Sequence, residues 1–250
     1  MSRTTSEILF GFHPVAEALA AGRRKIHEIW ISRGPDKGRM ASLVTALASR
    51  GVPVHQVSER SLTSHAGTER HQGIAARVAS FPLTGMAELL ALAEFADGSS
   101  FFLMLDRIVD PQNLGALLRS AEGAGAAVVI LPKDRSASPT PMVSKASAGA
   151  MEHLRIAVVT NLVQTLGKLK DLGYWFYGLD SEGGHSLFET EMTGKAVLLV
   201  GGEEKGLRHL VREQCDALIS IPLHGTVSSL NASAAGAVAM YERCRQQMKI

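Results

Sequence analysis

The sequence predicts an α/β protein: a mostly parallel sheet with helices on both faces, preceded by a smaller α/β unit. Three observations carry this. From 101 to 178, apolar strand-like runs alternate with helical stretches that end in glycine, the pattern of a parallel sheet covered by helices. Two further apolar runs, AVLLV (196–200) and ALISIP (217–222), each open into a polar, Gly-containing loop. Residues 8–79 hold short strands and helices of their own.

In chain order, EILFGF reads as a strand, and HPVAEALAAG as a helix with Pro14 in its first turn and Gly22 after its last. IHEIWIS (26–32) alternates like a strand, and RMASLVTALASRG (39–51) is an amphipathic helix ending in glycine. VPVHQV and GIAARVA are further strands. Residues 80–98 begin with Pro82, contain one short helix and read as a linker between a domain at 1–79 and a domain at 99–250. The second domain starts with FFLMLD (101–106); AAVVILP and YWFYGLD are strands, and QNLGALLRSAEGAG and NLVQTLGKLKDLG helices. SSLNASAAGAVAMYERCRQQ opens with a Ser/Asn cap signal and continues as an Ala-rich helix.

Composition narrows the function classes. At 46% hydrophobic residues the chain builds an ordinary core, and a net charge of +2 means that any nucleic-acid affinity comes from local basic patches. Cys215 and Cys244 lack metal spacing and suggest no disulfide framework, which fits a reduced cytoplasm. No apolar run approaches the roughly 20 residues of a membrane span. The glycine loops are not a dinucleotide fingerprint: in GGEEKG (201–206), Glu203 stands where GxGxxG needs its second glycine. EGAGAA (122–127) follows a helix rather than a strand, and the phosphate-loop pattern GxxxxGK[ST] is absent.

GxExxG (Gly201, Glu203, Gly206) followed by IPxxGxxxSLN (Ile221 to Asn231) resembles motifs two and three of the SpoU (SPOUT) class of RNA 2'-O-ribose methyltransferases. DPQNLGALLRSAEGAG (110–125) looks like motif one, in the family's order and spacing. Within the class the chain is most similar to the RlmB type, which methylates a guanosine ribose in large-subunit (23S) ribosomal RNA. The resemblance implies a SPOUT domain with a C-terminal trefoil knot, an RNA-binding domain in front of it, S-adenosylmethionine as methyl donor, ribosomal RNA as substrate and a homodimer. General topology rules argue against knots, so the knot rests on the resemblance.

The same resemblance assigns roles. Donor contacts fall on Gly201, Ile221 and Leu230, with Ser229 near donor or catalytic groups; the residues themselves offer an apolar slot for adenine from Leu199, Val200, Ile219, Ile221, Pro222 and Leu230, and a glycine lets backbone approach a ligand. Asn113, Arg119, Glu203 and Asn231 become the catalytic group. Asn113 is also a candidate N-cap, and Ser229 and Asn231 are candidate caps of the last helix. Glu203 has three candidate partners: Asn231, Arg119 and the ribose. A guanidinium is a poor base, so Arg119 is read as a bidentate clamp on a phosphate flanking the target nucleotide. In the first domain Arg23, Arg24, Lys25, Arg33, Lys37 and Arg39 supply positive charge, and Arg23, Arg24 and His71 are the candidate RNA contacts; solvated surface, or a loop histidine satisfied by backbone, are the plainer readings. Leu230, Ala234, Val238 and Tyr241 share one face at the last helix, which the family uses in a dimer interface and a simple core helix would bury. The alternatives to a 23S rRNA enzyme are a methyltransferase for tRNA or another rRNA site, and a noncatalytic RNA-binding assembly protein on the same fold.

Overall fold

The computed structural model describes residues 6–32 and 38–248; Arg33 and Lys37 lie outside them. In chain order the elements are β1 (Ser6–Phe10), α1 (Phe12–Ala21), β2 (Ile26–Ser32), α2 (Arg39–Ser49), β3 (Val54–Val57), α3 (Glu59–Ala66), β4 (Ile74–Ala79), α4 (Met86–Glu94), β5 (Phe101–Asp106), α5 (Pro111–Gly123) and β6 (Val128–Pro132). There follow α6 (Pro141–Ala146), β7 (Ile156–Val159), α7 (Leu162–Asp171), β8 (Trp175–Leu179), β9 (His185–Ser186), β10 (Ala196–Gly201), α8 (His209–Arg212), β11 (Ala217–Ser220) and α9 (Ala232–Gln247). Two compact units result, one of Met1–Pro82 with Pro139–His153, the other of Leu83–Ser138 with Leu154–Ile250.

The first unit is a four-stranded sheet in the order β1-β4-β2-β3. The central strand β4 runs antiparallel to both neighbours, and β3 lies parallel to β2. Alternation decides which side chains go to which face. Leu9, Ile29, Ile74 and Ala76 pack with Val15, Leu19, Leu43 and Leu47 from α1 and α2. Phe10, Trp30 and Ala75 turn the other way, onto Leu62 of α3. Helix α3 is capped by the Ser58 side chain, which accepts from the Ser61 N–H at 3.2 Å. Gly22 ends α1 in the left-handed conformation, φ +62°, as expected of a C-terminal glycine.

Two of the three candidate RNA contacts serve this unit's interior. Arg24 is 7% exposed. Its Nε and Nη2 donate to the two oxygens of Glu152 at 2.8 and 2.6 Å, and its Nη1 donates to Glu7 at 2.7 Å. The Ser144 hydroxyl donates to the same Glu152 carboxylate at 2.7 Å. With four of its five N–H groups bonded inside the protein and its side chain buried, this guanidinium is not offered to RNA. His71 is 1% exposed; its Nδ1 accepts the Gly73 N–H at 3.2 Å and its Nε2 lies 3.0 Å from the Thr63 hydroxyl. It is the loop histidine satisfied from within. Arg23 is half-buried, with its guanidinium 5.8 Å from the Phe81 ring centre. Lys25 and Arg39 are exposed.

The second unit is a seven-stranded, wholly parallel sheet in the order β7-β6-β5-β10-β8-β11-β9. Strands β5, β6 and β10 are buried along their entire length, as central strands covered on both faces must be. One face carries α4, α7 and α8, through Leu89, Ala93, Leu162, Leu166, Leu169 and Val211 on Phe102, Met104, Val197 and Leu199. The other carries α5 and α9, which also pack on each other. Gly236 in α9 sits where a Cβ would meet the Leu117 side chain of α5 and approach Val200 of β10 to 3.5 Å, so its small size sets the helix spacing.

Residues 80–98 are not a linker. Thr84 bridges to Ala157 of β7, and α4 buries Leu89 and Ala93 in the core of the second unit. Conversely, Pro139–His153, inside the expected 99–250 domain, packs with the first unit and supplies its Glu152 and Ser144. Among the described residues no helix is long and apolar enough to cross a membrane.

Removing one partner of a buried ion pair leaves the other charge uncompensated. Arg24→Ala is therefore expected to lower the stability of the full chain by about 3–5 kcal/mol, read from urea denaturation. A midpoint equal to wild type would show that Glu152 needs no counter-ion.

Candidate active site

The site forms beyond the C-terminal ends of the parallel strands, the usual place for a ligand crevice in such a sheet. Strands β5 and β10 end in register, with Asp106 beside Gly201. The chain then closes a tight turn: the Gly206 N–H donates to the Gly202 carbonyl at 2.8 Å, and Gly206 takes φ +57°. A Cβ on Gly201 would collide with the backbone of Gly206 and Leu207. This glycine is required by the turn's own closure before any ligand enters. Beyond the turn, the Arg208 N–H and Nε donate to the two oxygens of the buried Asp106 carboxylate at 2.9 and 2.8 Å.

A cleft of about 510 Å³ opens over this turn. Its walls are Leu179 to Glu182 after β8, Val200 to Leu207, Ile219, Ile221 and Leu223 from β11 and the loop after it, and Ser228, Ser229, Leu230, Ala232 and Ala235. Gly201, Ile221, Ser229 and Leu230 thus line one cleft. Leu199 does not: it is fully buried and turns onto the α4/α7 face. Of the two neighbouring candidates, strand alternation gives the cleft Val200. Arg212 donates through Nε to Asp180 at 2.7 Å at the cleft wall. Burial pushes the Asp180 carboxyl up, but the Glu182 N–H and the Arg212 guanidinium outweigh it and hold it below the usual carboxylate range. Burial pushes the nearby Cys215 thiol up to about 12, so it stays neutral and is no nucleophile.

A second cleft, of about 280 Å³, shares the 202–206 turn as a wall and adds Arg107, Ile108, Val109, Asp110 and Asn113. Glu203 lines both clefts. Around it three of the four candidate catalytic residues meet. Asn113 donates through Nδ2 to Glu203 Oε1 at 3.0 Å; Asn231 donates through Nδ2 to the same oxygen and, at 3.0 Å, to Asn113 Oδ1. Asn231 is also the cap of α9, its Oδ1 accepting the Ser233 and Ala234 N–H groups at 2.9 and 3.3 Å. Its oxygen holds the helix and its nitrogen holds the carboxylate. Ser229 makes no cap.

Asn113 is not a cap either. Asp110 caps α5, accepting from the Gln112 and Asn113 N–H groups, with Pro111 at the first helical position. An Asp-Pro step before an apolar helical run is the signal that locates this start. Arg119 lies outside the cluster. It follows Asn113 by six residues on α5, which turns it about 120° around the helix. It is exposed and lines neither cleft. Of the protein partners expected for Glu203, the Asn231 amide is in place and the Arg119 guanidinium is not, and the Asn113 amide is an addition. Among the described residues no group of His, Cys, Asp and Glu has the arrangement of a metal site.

Comparison with known proteins is consistent along the chain. The SpoU rRNA methylase family matches residues 100–241, and the substrate-binding domain of RNA 2'-O ribose methyltransferases matches residues 8–84. The 23S rRNA (guanosine-2'-O-)-methyltransferase RlmB of Pseudomonas putida is 39% identical over 241 residues, covering 96% of this chain and 97% of that protein. Its Escherichia coli K12 counterpart is 38% identical over 245 residues, 97% of this chain and 99% of the other. Among solved structures, the SpoU methyltransferase AviRb from Streptomyces viridochromogenes, in complex with the cofactor AdoMet, shares the fold at a TM-score of 0.79 and 23% identity, covering 99% of this chain and 92% of that one. The two family matches and the 38–39% identity over nearly the whole chain place it in the SpoU rRNA methylase family.

Proposed function

We propose that this chain transfers a methyl group from S-adenosylmethionine to the 2'-hydroxyl of a guanosine in 23S ribosomal RNA. The observation that carries this reading is the Asn113–Glu203–Asn231 cluster, set on the one turn that two clefts share. Relatives bearing that activity in their names match nearly the whole chain. A binder without chemistry would have no use for two amides fixed on one carboxylate.

The larger cleft fits the donor. Val200, Ile219, Ile221 and Leu230 offer an apolar slot, and the backbone of the 201–206 turn offers edge hydrogen bonds. When bound, the donor supplies a methyl group on a sulfonium centre, which needs only an oxygen nucleophile in line. The chain's own residues supply the alignment. Glu203 Oε1 is held by both amides, and Oε2 has no partner among the described residues. That oxygen is free to accept the hydrogen bond of a ribose hydroxyl and fix its direction. The displaced proton leaves to water or phosphate.

Arg119 completes the site from a second copy of the chain in this reading. It shares a face of α5 with Gly123, where a Cβ would stand 2.7 Å from the Tyr241 hydroxyl. Tyr241, Val238 and Ala234 form an exposed stripe on α9, the first two 53% and 37% exposed. An apolar stripe beside an unpaired arginine suits an isologous dimer in which each Arg119 clamps phosphate at its partner's cluster. The trefoil knot belongs to the same reading: β10 enters the middle of the sheet late in the chain, and α9 then tucks against α5. So does a reducing cytoplasmic setting, which the unpaired Cys215 and Cys244 suit.

Asn231→Ser keeps an oxygen to cap α9 but loses the amide that holds Glu203. Stability should stay within about 0.5 kcal/mol, while methyl transfer to 23S rRNA should fall on the order of a hundredfold. Normal turnover would remove the cluster from the chemistry. Mass-spectrometric mapping of 2'-O-methylguanosine in 23S rRNA and in tRNA identifies the substrate; methylation of tRNA alone would replace the rRNA reading. Donor calorimetry should give the same heat with and without a chelator, and loss on chelation would show an overlooked metal. Arg119→Lys keeps charge but loses the planar fork, so donor binding should survive while transfer collapses. Co-expressing the inactive Arg119→Ala and Asn231→Ala chains should restore activity, because a mixed dimer holds one intact site. A mixture that stays inactive would mean that each site is built from a single chain.

A further inference from the structure

We infer that Arg107 grips a phosphodiester of the acceptor RNA strand in the smaller cleft, beside the Asn113–Glu203–Asn231 cluster; this rests on the RNA reading above. Three observations converge on it. Arg107 takes φ +62°, a conformation that L side chains rarely adopt. The position is fixed from both sides. Asp106 before it is held by Arg208, and the Arg107 carbonyl lies 2.6 Å from where a Cβ of Gly202 would be. Backbone strain of this kind persists where surroundings over-determine it, and it concentrates at functional sites.

The second observation is electrostatic. The Nε of Arg107 is buried without a hydrogen-bond partner, and the residue makes no ion pair or hydrogen bond among the described residues. Arg24 and Arg208 each reach a carboxylate. Arg243, whose Nε is also buried and unpaired, still donates through Nη2 to the Ser99 and Gly194 carbonyls. A partly buried cation with no counter-ion is costly unless an anion arrives with the ligand.

Third, the anion has a place to sit. Arg107 lines the cleft of about 280 Å³ with Val109, Asn113 and the 202–206 turn. Three carboxylates share the cleft but none pairs with Arg107: Asp110 caps α5, Glu203 has its Oε1 held by two amides and its Oε2 turned to the ribose in this reading, and Glu204 is exposed next to the exposed Lys205. In RNA the 3'-phosphodiester is attached to the carbon next to the one bearing the 2'-hydroxyl. A ribose hydroxyl presented to Glu203 therefore brings a phosphate with it, and a planar guanidinium is the side chain suited to bind one.

Arg107→Gly tests this without risk to folding, because glycine accepts the positive φ that arginine strains to hold. Binding of transcribed 23S rRNA is measured across a salt series, beside donor calorimetry, thermal melting and steady-state kinetics. Arg107→Gly should weaken RNA binding about tenfold and reduce the salt slope by about one. KM for RNA should rise more than kcat falls, with donor affinity intact and no loss of melting temperature. Arg107→Lys should recover part of the salt slope. An unchanged affinity and slope in Arg107→Gly, with a wild-type enzyme that binds and methylates the RNA, overturns the assignment alone. A loss that vanishes when the target guanosine is replaced, with the slope unchanged, overturns it in favour of base reading. A drop in donor affinity moves Arg107 to the donor cleft. A wild-type chain that neither binds nor methylates 23S rRNA overturns both the assignment and the reading beneath it.

Discussion

The site depends on one pairing, that of Asp106 with Arg208. Asp106 ends β5, the neighbour of the middle strand β10, and both of its oxygens are taken by Arg208, one from the backbone and one from the side chain. Residues 201–206 are thereby tied at each end, by the β10 ladder before them and by this carboxylate after them. Within those ties the turn closes on glycines that leave no room for a Cβ at 201 or 202. Glu203 is carried on a short, doubly anchored segment rather than on a free loop. That is what allows two amides far apart in the chain, on the packed helices α5 and α9, to meet a single carboxylate oxygen. Preorganisation of this sort keeps the cost of alignment out of the reaction step.

Much of this was legible in the sequence, for definable reasons. Strand 26–32 and the strand–turn at 196–206 stand out because alternation, apolar runs and clustered glycines are local signals. The phase of β10 was not legible. A strand buried on both faces has no polar residues to mark its sides, so nothing in AVLLV says that Val200 faces the cleft and Leu199 the helices. Arg24 looked like surface charge because its partner Glu152 lies 128 residues away. His71 looked available because its partners, the Gly73 N–H that donates to Nδ1 and the Thr63 hydroxyl beside Nε2, are ordinary loop and helix groups. The residues 83–98 looked like a junction because one short helix between Pro82 and a Ser/Gly stretch carries no sign of what it packs on. The cap of α5 was misplaced by three residues although Asp110-Pro111 announced it.

Charge placement matters more here than total charge. The net +2 is close to neutral, and several of the arginines are spent inside the protein on Glu152, Asp106 and Asp180. Basic residues therefore cannot be counted toward nucleic-acid affinity from sequence alone. Each has to be assigned first to an internal partner or to none. Arg107 and Arg119, neither of which meets a carboxylate among the described residues, both lie on the segment that runs from the end of β5 through α5.

The excursion of Pro139–His153 has a consequence for how such a protein can be dissected. The chain passes from the first unit to the second at Pro82, returns at Pro139 and leaves again after His153. A fragment ended at Pro82 would keep Arg24 and Glu7 but lose Glu152 and Ser144, leaving two of the guanidinium's nitrogens without the carboxylate they donate to. A fragment begun at Leu83 would carry a length of chain whose partners are missing. The boundary that a linear sequence suggests is not a place where the molecule comes apart. Swapping recognition modules between relatives would succeed only if residues 139–153 travelled with the N-terminal piece, as a two-part graft.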